Sequence, residues 1–159
     1  MIKALGWILL LALVVIQFFH PAKNIGSRST ANDISRHYPV PDSVEVLLKT
    51  ACYNCHSDSS SYPWYNHVQP VAWFLADHIN EGKRRLNFSE FGTYDSLKAA
   101  KQFRSIKFNV KRREMPLSSY LWMHPEARLT DAQFKAIEDW AAGLQKQLGL
   151  SDTAFRHQG

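Results

Sequence analysis

The chain has 159 residues and only two cysteines, Cys52 and Cys55, with His56 directly after the second. With both thiols in one CxxC, no pair is left for a structural disulfide once that motif has a job. There is no second CxxC and no His-x3–5-His pair, so a structural zinc site would lack half of its four ligands. Alternating β-branched runs are scarce, and no internal repeat is visible. No nucleic-acid module accompanies the formal charge of +5, so no nucleic acid is expected as partner. Much of that charge sits in Lys83-Arg84-Arg85 and Lys111-Arg112-Arg113. Such runs suit solvated helix ends, or a docking face for an acidic partner or anionic lipid.

Charge is also missing at the N-terminus. From Ala4 to Phe19 the chain reads ALGWILLLALVVIQFF, apolar but for Gln17, with Lys3 in front. The run is slightly long for the apolar core of a signal peptide and slightly short for a comfortable span. No small-x-small cleavage site follows, and no cysteine is placed for lipid attachment. An uncleaved signal anchor is favoured over a cleaved peptide. With Lys3 held inside, the body of the chain is expected on the periplasmic, extracytoplasmic side of the membrane. The expected organisation is an anchor over 1–20, a tether over 21–40, one folded domain over 41–150 and a flexible tail over 151–159. The tether assignment rests on a Ser-, Asn-, Gly- and Pro-rich stretch without periodicity.

The domain reads as all-α. Val44, Leu47, Leu48, Ala51 and Cys55 fall on one face of a helix that starts near Asp42 and runs into the motif. A second helix is predicted from Pro70, with Val71, Phe74, Leu75, His78 and Ile79 inward and an end at Gly82 and the basic run. A third is predicted over about 94–113, with Leu97, Ala100, Phe103, Ile106 and Val110 in the core. It must stop before Met115-Pro116, because proline disfavours helix in the residue ahead of it. The last opens with a Thr130–Gln133 capping box, carries Phe134, Ile137, Trp140, Ala141, Leu144 and Leu148 on one stripe, and stops at Gly149.

Three chemistries compete for Cys52, Cys55 and His56. Zinc lacks partners. A redox dithiol sits at a helix N-terminus, where the dipole stabilises thiolate, whereas this motif lies at the C-terminal end of a helix. Covalent haem uses every residue: two thioethers from Cys52 and Cys55, and His56 as proximal iron ligand. One haem c is therefore the expected cofactor. Met115 is the favoured sixth ligand, since a loop methionine can swing its thioether to the iron. Met123 and histidines 37, 67, 78 and 124 remain alternatives. A backbone carbonyl near Pro63 or Pro70 is expected to fix the His56 ring. Tyr62, Trp64, Tyr65, Tyr120 and Trp122 flank the two ligand loops as candidate porphyrin contacts.

The run CYNCHSDSSSYPWYNHVQPVAWFLADHINEGKRRLNFSEF resembles the signature of the small bacterial haem-binding domain family with a CxxCH motif. That family is similar in plan to class I cytochromes c. EMPLSSYLWMHPEARLTDAQFKAIEDWAAG is similar to its C-terminal half, so the resemblance covers roughly residues 41–145. It implies a cytochrome c-like fold, haem binding by Cys52, Cys55 and His56, and Met115 at the distal position. It also implies electron traffic with redox partner proteins rather than catalysis by this chain. The alternative is a haem sensor or ligand-binding module with an open or weakly held sixth site.

Overall fold

The computed structural model describes residues 2–27 and 30–149. The expected tail over 151–159 lies outside the described residues, as does Leu150. Eight α-helices follow in chain order: α1 (Ile2–Ile16), α2 (Ile34–His37), α3 (Asp42–Ala51), α4 (Tyr53–His56), α5 (Val71–Arg85), α6 (Ser96–Lys111), α7 (Ser118–Met123) and α8 (Asp131–Gln147). Short 3₁₀ turns lie at Trp64–His67, Phe88–Thr93 and Pro125–Ala127. Among the described residues there is no strand, only one antiparallel bridge between Ile25 and Ser59. The all-α expectation holds.

The frame is the α6–α8 pair, the most extensive helix pairing. Asp95 caps α6 through the Lys98 amide, and the predicted Thr130–Gln133 capping box closes the start of α8. Phe103, Ile106 and Val110 of α6 meet Ile137, Trp140, Ala141 and Leu144 of α8, with Val44 and Leu48 of α3 in the same core. Phe103 is fully buried and meets Tyr38, Phe91 and Trp140 at ring separations of 5.1, 5.0 and 5.5 Å. Truncating such a ring removes its transfer energy and leaves a cavity, so Phe103→Ala should cost about 4 kcal/mol in denaturant unfolding. A loss below about 1 kcal/mol would mean that this cluster is not the stability centre.

Several helical predictions need correction. The first helix does not run through the motif. It ends at Ala51, and Cys52 (φ −125°, ψ −42°) separates it from the single turn of α4. In α5 the buried face is Ala72, Ile79 and Gly82, while Val71 and Phe74 are exposed. Gly82 does not end that helix, which continues to Arg85. Leu97 is exposed, and Ala99 takes the inward position.

The N-terminal apolar stretch forms α1, whose 15 residues rise about 22 Å, short of a hydrocarbon core of about 30 Å. No helix among the described residues is long and apolar enough to cross a membrane. The expected transmembrane helix is therefore not found as a span.

Within 21–27 and 30–40, where a loose tether was expected, several residues are fixed by contacts to the domain. Ile34 is fully buried, and the Asp33 carboxylate accepts from the Ser35 amide and the Tyr53 hydroxyl. Asn24 crosses the loop after the motif, donating to the Ser57 carbonyl (2.9 Å) and the Ser60 hydroxyl (2.8 Å). Its carbonyl accepts from the Ser60 amide, and the Gly26 amide donates to the Asp58 carbonyl at 2.7 Å. A Cβ on Gly26 would sit 2.7 Å from that same carbonyl oxygen, so glycine is required for the approach.

Candidate functional site

The motif is held from behind by α5. The His56 Nδ1–H donates to two backbone carbonyls, Gly82 and Leu86, each at 3.0 Å. Both acceptors are carbonyls, so the proton lies on Nδ1 and Nε2 keeps its lone pair. Burial lowers the His56 pKa, opposed by these two hydrogen bonds, and favours the neutral ring that a metal ligand needs. The acceptors are not the carbonyls near Pro63 or Pro70 that the sequence suggested.

Gly82 explains how α5 comes so close. A Cβ there would lie 2.6 Å from the Cys55 carbonyl oxygen. Glycine at this position lets the two backbones touch and brings its own carbonyl to His56. On the far side of the loop, Lys83 reaches Asn24 Oδ1 (2.7 Å) and Asp58 Oδ1 (2.9 Å), so it is not a solvated helix end. Burial works against the Asp58 carboxylate, yet Lys83 and the Asn87 amide hold its pKa below the ordinary value. Arg84 and Arg85 both grip Glu81, while Lys111, Arg112 and Arg113 pair with Glu138, Glu114 and Asp131. Both basic runs are thus ion-paired.

Three adjoining cavities of about 290, 340 and 150 Å³ surround the motif. The first and third share walls at Cys52, His56, Arg85 and Met115. The first and second share Cys55, His78, Leu117 and Tyr120. Met115 therefore borders both cavities that contain His56, whereas Met123 borders only the one where His56 is absent from the walls. Both nitrogens of His124 are engaged, with Tyr65 Oη (2.7 Å) and Glu126 Oε1 (2.8 Å), and His37 Nε2 contacts the Ala31 carbonyl. His78 donates from Nδ1 to the Phe74 carbonyl one turn back. Of the expected aromatic contacts, Tyr65, Tyr120 and Trp122 line the cavities. Tyr62 instead accepts from the Asn24 amide, and Trp64 points to solvent at 73% exposure. Arg85 is the only Lys or Arg lining these three cavities, a cation that composition could not single out.

Burial pushes the Cys52 thiol up to about 12, with Cys55 adding to it, and the Cys55 thiol up to about 11. Both stay protonated at neutral pH, contrary to what a nucleophilic dithiol requires. Among the described residues, no group of three or more His, Cys, Asp or Glu side chains could hold a bare metal ion.

The site thus fits a flat apolar group. It offers linked apolar cavities, with two thiols, a neutral imidazole protonated on Nδ1 and a thioether all in the walls of the first. These features define a helical protein whose cavity is built around a tetrapyrrole. The chain matches the haem-binding domain family over residues 11–143 and belongs to it. No curated protein and no solved structure matches the chain. Haem is the cofactor of this protein.

Proposed function

We propose that the chain is a c-type cytochrome-like carrier of single electrons outside the cytoplasm, without catalysis of its own. Its haem c would be attached through Cys52 and Cys55 and ligated by His56 and Met115. The observation that carries this reading is the sharing of two cavities by Cys52, His56 and Met115, beside an imidazole already fixed in the ligating tautomer. When bound, the haem iron supplies a one-electron couple, and His/Met ligation raises its potential.

The protein's own residues set the conditions for that couple. The Gly82 and Leu86 carbonyls hold the His56 ring and its proton. Pro116, Leu117 and Tyr120 exclude water from the wall beside Met115. Arg85 is placed to offset the negative charge of a haem carboxylate. The redox partners are proteins or small reductants outside the cytoplasm. The apolar α1, exposed along its whole length, would anchor the chain to the membrane and raise the effective concentration of membrane-bound partners.

Mass spectrometry of the denatured full chain, after co-expression with haem-maturation machinery, tests attachment. Haem should stay with the polypeptide, and Cys52→Ala/Cys55→Ala should abolish its retention and the cooperative unfolding seen with haem bound. Extraction of intact haem from the wild-type chain would overturn covalent attachment. An optical shift of the ferrous protein on adding carbon monoxide would replace the carrier by a sensor with an open sixth site.

A further inference from the structure

The end of α1 is fixed to the domain by paired glutamines. Gln69 donates from its backbone amide to Gln17 Oε1 at 2.9 Å, and Gln17 Nε2 donates to the Gln69 carbonyl at 3.2 Å. Gln69 Nε2 also donates to the Phe19 carbonyl at 2.6 Å, and Gln69 is only 3% exposed. The helix therefore joins the domain without slack, and it joins at one particular place.

That place is unusually apolar and uncharged. Trp64, Val68 and Trp73 are exposed there, Trp64 at 73%, and none of them lines the three cavities of the haem site. No Asp, Glu, Lys or Arg occurs between Asp58 and Asp77, or between Glu114 and Glu126. Soluble domains seldom leave so many large apolar side chains uncovered around one point. Tryptophan in particular favours the boundary between lipid headgroups and acyl chains. Phe18 and Phe19, which follow α1, are exposed as well, and the Phe19 carbonyl is the one bonded to Gln69.

We infer that this face lies on the bilayer, so that the domain rests on the lipid surface with Trp64 and Trp73 in the interface. The inference rests on the proposed membrane attachment of α1 and goes further. A short helix whose end is pinned to Gln69 leaves the domain no room to stand clear of the surface. Val71 and Phe74, on the same turn of α5 as Trp73, wall one of the two cavities that contain Cys55. The side of the haem site bearing that cysteine therefore faces lipid, where an apolar reductant dissolved in the bilayer can approach it.

The test uses the full haem-loaded chain bound to phosphatidylcholine–phosphatidylglycerol vesicles doped with a lipid that carries a diazirine in its acyl chain. After irradiation, adducts are mapped by peptide mass spectrometry. Adducts should appear on α1 and also within 64–74. The double variant Trp64→Ser/Trp73→Ser, at two side chains that line none of the three cavities, should keep its haem spectrum and its α1 adducts, and lose adducts within 64–74 about tenfold. Adducts confined to α1 in the wild-type chain would overturn the resting face and leave membrane attachment standing. Adducts nowhere would overturn attachment itself. Unchanged adducts in the double variant would overturn the assignment of these two side chains as the contact.

Discussion

Met115→Leu is expected to give a haem protein whose ferrous form binds carbon monoxide stoichiometrically, where the parent binds none. Leucine nearly matches methionine in volume, so the packing cost in this half-buried turn should stay below about 1.5 kcal/mol. What it removes is the thioether. The variant should lose the ferric methionine–iron charge-transfer band, and its midpoint potential should fall. Met123→Leu is the matched control. Met123 is 42% exposed and borders a cavity whose walls do not include His56, so its replacement should leave spectrum and potential unchanged. If Met123→Leu opened the iron and Met115→Leu did not, the proposed ligand pair would be wrong.

Gly82→Ala should destabilise the protein, against the usual rule for helices. An alanine inside α5 gains about 1 kcal/mol of helix propensity over glycine. Here its Cβ meets the Cys55 carbonyl oxygen at 2.6 Å, a backbone atom that cannot swing aside. Relieving that overlap costs about 1–3 kcal/mol. Moving α5 away also strips His56 Nδ1 of both acceptors, and an unpaired buried donor costs about 1–3 kcal/mol more. The net expectation is a loss of about 2 kcal/mol in denaturant unfolding, together with a changed haem spectrum. Gly143→Ala in α8 has nothing within 4 Å of the new Cβ and should instead stabilise by about 0.5–1 kcal/mol. Equal effects at the two sites would mean that the contact between Gly82 and Cys55 does not constrain the fold.

These two glycines show what the sequence could and could not reveal. The start of α8 was legible because Thr130 and Gln133 recognise each other's backbone within one turn. The stop before Met115-Pro116 was legible for a similar local reason. Gly82 read as a helix end, since a glycine beside a basic run usually is one, and nothing local signals that another backbone presses on it. The acceptors for His56 were hidden more deeply, because carbonyl oxygens are the same at every residue and only the path of α5 selects two of them. The inward face of α5 was misread because small side chains, Ala72 and Gly82, do the close packing while Val71 and Phe74 face outward. The 21–40 stretch looked like a tether because its polar side chains follow no period. Those side chains bind specific partners in another loop, which composition cannot express. Cys52, Cys55 and His56 stood out as a motif by spacing alone, and the fold brings all three to the walls of one cavity.

The crossing of residues 24–26 over the loop after His56 also determines where mechanical load enters the molecule. A pull on the N-terminal end of the chain is taken up first at Gln17–Gln69, then at the paired Asn24–Ser60 and Gly26–Asp58 backbone bonds, with Lys83 bridging Asn24 and Asp58. These links act together across the path of the force. The helix turn that carries Cys55 and His56 lies beyond them and is shielded from strain. Thermal motion of the N-terminal end is thus taken up before it reaches the seat of His56, which stays referenced to the Gly82 and Leu86 carbonyls.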